Sequence, residues 1–123
     1  MLRLTSHRKK VYDILNNTNK PLSCEMIYEK VENENINLST IYRAIDYFFE
    51  NDLVLKFHFN NKSYYILNQD HNHSHYFICT NCLKMDKIKC NMKDIITDLK
   101  ETKNYQILNH EMTVYGLCDL CSN

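Results

Sequence analysis

Two Cys-x-x-Cys pairs, Cys79/Cys82 and Cys118/Cys121, are the residues of this chain best suited to chemistry. Each pair can present two thiolates from one tight turn. Together they make the tetrahedral four-sulfur set that zinc takes in structural sites. Both pairs follow runs that read as strands. A redox Cys-x-x-Cys would instead open a helix, where the dipole lowers the thiol pKa. Cys24 and Cys90 fall outside the pattern and read as small, shielded side chains.

Just ahead of Cys79 stand His71, His73 and His75. Side chains alternate along an extended segment, so all three would point the same way. Neutral imidazoles suit zinc, iron, nickel and copper alike. Asp94, at the start of a helical pattern, and His110, between two strand patterns, are the nearest candidates to complete such a shell. On residue types alone, a histidine-rich surface segment explains the run as well. An open three-histidine zinc site could also serve a hydrolase. Catalytic zinc needs a base close by, however, and no motif here supplies one.

The elements that must position these groups follow from hydrophobic spacing. Residues 5–18 suit a first helix, capped by Thr5 or Ser6, with Val11, Ile14 and Leu15 on one face. Ser23 can cap a second helix, with Glu25 in its first turn, where the dipole favours an anion. After a polar break at 32–37, Ser39 starts a third helix with Ile41, Ile45 and Phe48 or Phe49 on its apolar face. Thr40, Tyr42 and Arg43 lie off that face. Two β-rich runs, 53–59 and 63–67, flank Asn60-Asn61 and predict a hairpin. Beyond Asp70 the pattern reads strand (76–80), strand (85–89), helix (92–103), strand (105–109) and strand (112–117). Ile95, Ile96 and Leu99 share one face of that helix.

Three helices and a hairpin make a winged helix-turn-helix pattern, whose third helix enters the major groove of DNA. The bland alternative is a helical core with an incidental hairpin. Arg3, His7, Arg8, Lys9 and Lys10 fall in an acid-free stretch and could hold phosphates without reading sequence. Arg43 can pair bidentately with guanine. Tyr42 could touch a thymine methyl or a phosphate, or pack on the neighbouring helix. The expected architecture is α+β. It comprises a winged-helix domain (1–67), a hinge (68–75) and a small dimerisation and zinc-binding domain (76–123).

The chain has 123 residues, 44% hydrophobic and 24% charged, with zero formal net charge. That balance is globular, and global charge names no partner. No apolar run approaches the ~20 residues that span a bilayer. The expectation is a cytoplasmic protein whose cysteines are metal ligands or buried thiols. Each half is small enough to be marginal alone, and a metal staple or pairing with a second copy would answer that deficit.

The chain resembles the ferric uptake regulator family of metal-sensing repressors. The resemblance covers nearly the whole chain. It rests on Arg3-Leu4-Thr5 with Arg8, Ile27-Tyr28, Ser39-Thr40-Ile41-Tyr42-Arg43, the histidine run before Cys79 and Cys82, and His110 with Val114-Tyr115-Gly116-Leu117-Cys118 and Cys121. It implies a homodimeric repressor of metal-uptake genes, iron or zinc above all, that binds a double-stranded DNA operator. DNA contacts would come from Arg3, His7, Arg8, Ser39, Thr40, Tyr42 and Arg43. It implies structural Zn2+ on the four cysteines and a regulatory Zn2+ or Fe2+, with Mn2+ a further option, at the hinge. That ion's ligands map onto His73, His75, Asp94 and His110, with His71 as a further candidate. No catalysis, small-molecule substrate or membrane is implied. In a second family sensor site, Pro21, Ser74, Tyr76 and Lys87 stand where the ligands would be: either that site is abandoned, as Pro21 and Lys87 argue, or a one-residue slip lets His73 and His75 serve it. Abandonment weighs against the alternative of a peroxide sensor of the same family. A zinc module that binds proteins but not DNA is the other alternative. The family's glycine after Cys82 is Leu83 here, which predicts a strained turn.

Overall fold

The computed structural model describes residues 5–69 and 74–122. Arg3, His71 and His73 lie outside them. The chain divides into two compact units, Met1–Gln69 and Asp70–Asn123.

The first unit begins with α1 (Ser6–Asn16), capped by Thr5, whose side chain accepts from the Arg8 N–H. Helix α2 (Cys24–Val31) is capped in the same way by Ser23. A 3-10 turn, Glu32–Glu34, follows and ends at Asn35 with φ 56°, a left-handed conformation that asparagine tolerates. Ile36, inside the stretch read as a polar break, is buried.

Helix α3 (Leu38–Glu50) does not take its cap from Ser39. Asn37 supplies it, because its Oδ1 accepts from the Thr40 N–H at 2.9 Å and from the Ser39 and Thr40 hydroxyls at 2.8 Å each. Three donors meet one amide oxygen, and Ser39 becomes part of the cap. Ile41, Ala44, Ile45 and Phe48 form the buried stripe, while Phe49 turns outward.

Strands β1 (Val54–Phe59) and β2 (Lys62–Leu67) pair antiparallel, with Phe59 opposite Lys62. Asn60 and Asn61 have φ of 54° and 61°, as a primed two-residue hairpin turn requires. Leu22 adds a bridge that spacing did not announce, exchanging backbone hydrogen bonds with Tyr65 at 2.8 and 2.9 Å. One apolar cluster joins all these elements. Val11, Leu15, Ile27, Val31, Ile41 and Phe48 are each 1% exposed or less. Fully burying one such side chain is worth about 1.5–3 kcal/mol.

The second unit is a sheet of order β4-β3-β5, with helix α4 (Lys93–Glu101) after β4. Strand β3 (His75–Cys79) pairs antiparallel with β4 (Met85–Ile88), placing His75 opposite Ile88. It pairs parallel with β5 (Thr113–Gly116), placing Cys79 opposite Gly116. The expected strand at 105–109 is not formed. Tyr105 instead donates its N–H to the Leu99 carbonyl beyond the helix end, following Asn104 in the left-handed region at φ 59°. Leu108 is 87% exposed, so the alternation there finds no sheet face within this chain.

The buried side chains of this unit, among the described residues, are His75, Ile78, Cys79 and Cys118. No helix among the described residues is long and apolar enough to cross a membrane.

Candidate metal centres and nucleic-acid face

The β3–β5 pairing builds the first centre. It sets the end of β3 beside the end of β5, so Cys79 and Cys118 meet. The Thr80 N–H donates to the Gly116 carbonyl at 2.9 Å and holds the two turns together. Cys82 comes in on the turn between β3 and β4, and Cys121 on the turn after Cys118. Those turns close through Leu83 N–H to the Cys79 carbonyl (2.9 Å) and Cys121 N–H to the Cys118 carbonyl (3.1 Å).

All four Sγ atoms lie within 4.8 Å of one another. The Cys82–Cys118 separation is 3.7 Å. A tetrahedron with zinc–sulfur bonds near 2.3 Å has edges of about 3.8 Å, so the cage fits zinc. Backbone N–H groups of Cys82 (3.5 Å) and Cys118 (3.4 Å) point at Cys79 Sγ and stabilise its thiolate, bringing its pKa down to about 6. Asn81 Nδ2, at 3.3 Å, pulls Cys121 the same way. The Cys118 sulfur, burial and the remaining sulfurs outweigh it and push Cys121 up to about 11. Crowded sulfurs without a shared cation resist being thiolates together, which is the deficit a divalent ion removes.

Leu83 carries φ 67°, so the strain expected where the family has glycine is present. Holding a residue with a Cβ in that region costs roughly 1–2 kcal/mol.

A second cluster forms at the other end of β3. His75, at its first residue, is 2% exposed. Its Nε2 lies 3.2 Å from Nε2 of His110, which precedes β5. The structure adds a residue that sequence reasoning set aside. Cys90, two residues beyond the end of β4, places Sγ 3.4 Å from the same Nε2 of His110. Cys90 is exposed, not shielded as expected, because it lies on the open segment between β4 and α4. His75, Cys90 and His110 form a group whose ligand atoms all lie within 4.8 Å of one another. Asp94 sits in the first turn of α4, exposed, and is not among these three converging side chains. No spacing rule pointed to Cys90, since only the β3–β4 register carries it to His75.

The two clusters lie at the start and end of one strand. Four residues at about 3.3 Å each separate them by roughly 13 Å.

In the first unit, His7, Arg8, Thr40 and Arg43 line one open hollow of about 380 Å3 with Thr5 and Ala44. The N-termini of α1 and α3 therefore present their polar side chains to a common space. Arg43 Nη2 donates to Thr40 Oγ1 at 3.2 Å. The Arg8 guanidinium stacks on the Tyr47 ring at 3.7 Å. Lys9 pairs with Asp13 at 3.3 Å and Lys10 with Glu34 at 2.7 Å. These pairs are exposed and worth at most about 1 kcal/mol each, so a phosphate can displace them. Tyr42 donates its hydroxyl to Glu25 Oε1 on α2 at 2.5 Å, which engages it with the neighbouring helix while its ring stays 43% exposed. The bond holds Glu25 below the usual carboxylate range and pushes Tyr42 up to about 12.

The ferric uptake regulator family model matches residues 1–115. A ferric uptake regulation protein of Synechococcus elongatus is 30% identical over 125 residues, covering 97% of this chain and 85% of that protein. The solved ferric uptake regulator of Vibrio cholerae is 27% identical with a TM-score of 0.75, covering 95% of this chain and 92% of its own. A zinc uptake regulator solved in complex with zinc and DNA is 25% identical with a TM-score of 0.71, covering 98% and 84%. With a family match over nearly its whole length, the same two-unit α+β build and a four-cysteine cage that fits zinc, this chain belongs to the ferric uptake regulator family of metal-responsive transcriptional regulators.

Proposed function

We propose that this chain is a cytoplasmic, homodimeric repressor of metal-uptake genes whose grip on a double-stranded DNA operator depends on a divalent ion. The observation that carries this reading is the meeting of His75 and His110. They are 35 residues apart in sequence, yet their Nε2 atoms are 3.2 Å apart. Two imidazole nitrogens converging at that distance form the start of a coordination shell. By the family resemblance, His73 and Asp94 are further donors to the same ion, with His71 in reserve.

The four-cysteine cage is the structural site, and the histidine cluster is the one that reports metal supply. In the groove-facing unit, Arg43 is the base-reading candidate. Arg3, His7, Arg8, Ser39 and Thr40 hold the backbone, and Tyr42 offers its exposed ring edge. Val114, Tyr115 and Leu117 on and beside β5, with Ile95 on α4, are exposed apolar side chains that pairing with a second copy would cover. A metal shifts DNA affinity only if it binds one arrangement of the dimer more tightly than another.

Operator binding measured with the cage loaded, with and without added Zn2+, Fe2+ or Mn2+, tests the proposal. The expected result is a gain of roughly 5- to 150-fold with the cognate ion. Equal affinity under every condition would end the sensing claim. Loss of binding on Arg43→Ala would separate a DNA regulator from a protein-binding zinc module.

A further inference from the structure

We infer that Cys90 is a thiolate ligand of the second centre, which makes that centre a sulfur-containing site selective for zinc over Fe2+ and Mn2+. The inference rests on the reading of His75 and His110 as metal donors and deepens it.

With zinc–nitrogen bonds near 2.05 Å and zinc–sulfur bonds near 2.3 Å, tetrahedral coordination puts two nitrogens about 3.3 Å apart and a nitrogen and a sulfur about 3.6 Å apart. The structure has 3.2 Å between His75 and His110 and 3.4 Å between Cys90 and His110. All three ligand atoms lie within 4.8 Å of one another.

Hydrogen bonding explains the cluster less well. An imidazole Nε2 offers one in-plane N–H or one lone pair, never both. Here the same Nε2 of His110 has two polar partners at contact distance, His75 Nε2 and Cys90 Sγ. It can serve only one of them well. A cation accepts a lone pair from each of the three atoms at once.

The backbone delivers Cys90 by register. His75 pairs with Ile88, and two residues further on the chain leaves β4 with Cys90 beside the imidazoles. Cys79 and Cys118 belong to the cage at the far end of β3, so Cys90 is not a spare member of that set.

Ligand softness then chooses the ion. Thiolates favour zinc and softer metals, whereas Fe2+ and Mn2+ are better served by nitrogen and oxygen alone. Changes to groups outside the shell already cost about 10- to 100-fold in metal affinity. Loss of a direct sulfur donor should cost at least about tenfold, and more for zinc than for manganese.

The test uses the full chain with one zinc per protomer in the cysteine cage, titrated with Co2+ as a spectroscopic probe. The expected result is a near-ultraviolet sulfur-to-cobalt charge-transfer band that grows with the second equivalent. In Cys90→Ser the band should vanish while Co2+ still binds, roughly tenfold or more weakly. The preference for Zn2+ over Mn2+ in competition should shrink with it. Circular dichroism and retention of the first zinc show that the variant is folded. A second equivalent without the band, or a band unchanged in Cys90→Ser, overturns the inference. Unchanged second-site binding in His75→Ala and His110→Ala would overturn the parent reading as well. Loss of binding in those variants, with no change in Cys90→Ser, would remove the cysteine alone.

Discussion

The two units of this chain are stabilised by different physics. The first buries Leu15, Ile27, Ile41, Ile45 and Phe48 to 1% exposure or less in one apolar cluster. The second, among its described residues, buries His75, Ile78, Cys79 and Cys118. Three of those four side chains belong to one or other of the two candidate metal clusters. The first unit is therefore held by the hydrophobic effect. The interior of the second is built mainly from side chains that could hold ions, and apolar Ile95, Val114 and Leu117 are exposed. A small sheet with one helix can afford so thin a core only if coordination and a covering partner supply what burial does not.

The largest expected effect breaks that contrast from the zinc side. Chelation, or Cys79→Ser, should unfold the second unit and spare the first. Structural zinc contributes roughly 10–16 kcal/mol in small domains, as much as or more than a whole domain's ~5–15 kcal/mol. Hydrogen exchange read along the chain checks this, and protection retained on β3 and β5 without metal would refute it. The mirror experiment is Phe48→Ala. Removing a fully buried aromatic should cost about 3–5 kcal/mol, all of it in the first unit, with zinc content unchanged by elemental analysis.

Smaller changes sharpen the comparison. Leu83→Gly relieves the left-handed backbone next to Cys82 and should stabilise the zinc-loaded second unit by about 1 kcal/mol, read as a higher melting temperature. Asn37→Ala removes the three-donor cap of α3 and should cost about 1 kcal/mol in the first unit. Operator affinity should fall with it, since the capped end carries Thr40 and Arg43.

The smallest effect is a pH dependence. Glu25 has its pKa lowered in the fold, first by the Tyr42 hydroxyl. Its contribution is present above the unfolded carboxylate pKa and is lost as pH falls through the folded one. The pair is exposed, so this amounts to at most about 1 kcal/mol. Denaturant melts of wild type and Tyr42→Phe should differ near neutrality and converge in acid.

Much of this molecule is written in local signals. The caps at Thr5 and Ser23, the Asn60-Asn61 turn, the apolar stripe of α3 and the spacing of the four cysteines all act over a few residues. A sequence shows such features directly. The strain at Leu83 is equally local, a side chain standing where a left-handed turn wants none.

What the tertiary structure alone decided concerns residues far apart in the chain. The bridge from Leu22 to Tyr65, the parallel run of β5 beside β3 and the failure of 105–109 to form a strand depend on which backbone edge is free to pair. Cys90 is the clearest case. Its neighbours in sequence say nothing of metal, and its place beside His110 exists only because an antiparallel register on one side of β3 and a parallel one on the other bring three separate segments to a single point. Spacing encodes ligands that share a turn, whereas ligands that share only a sheet edge are encoded by the whole fold.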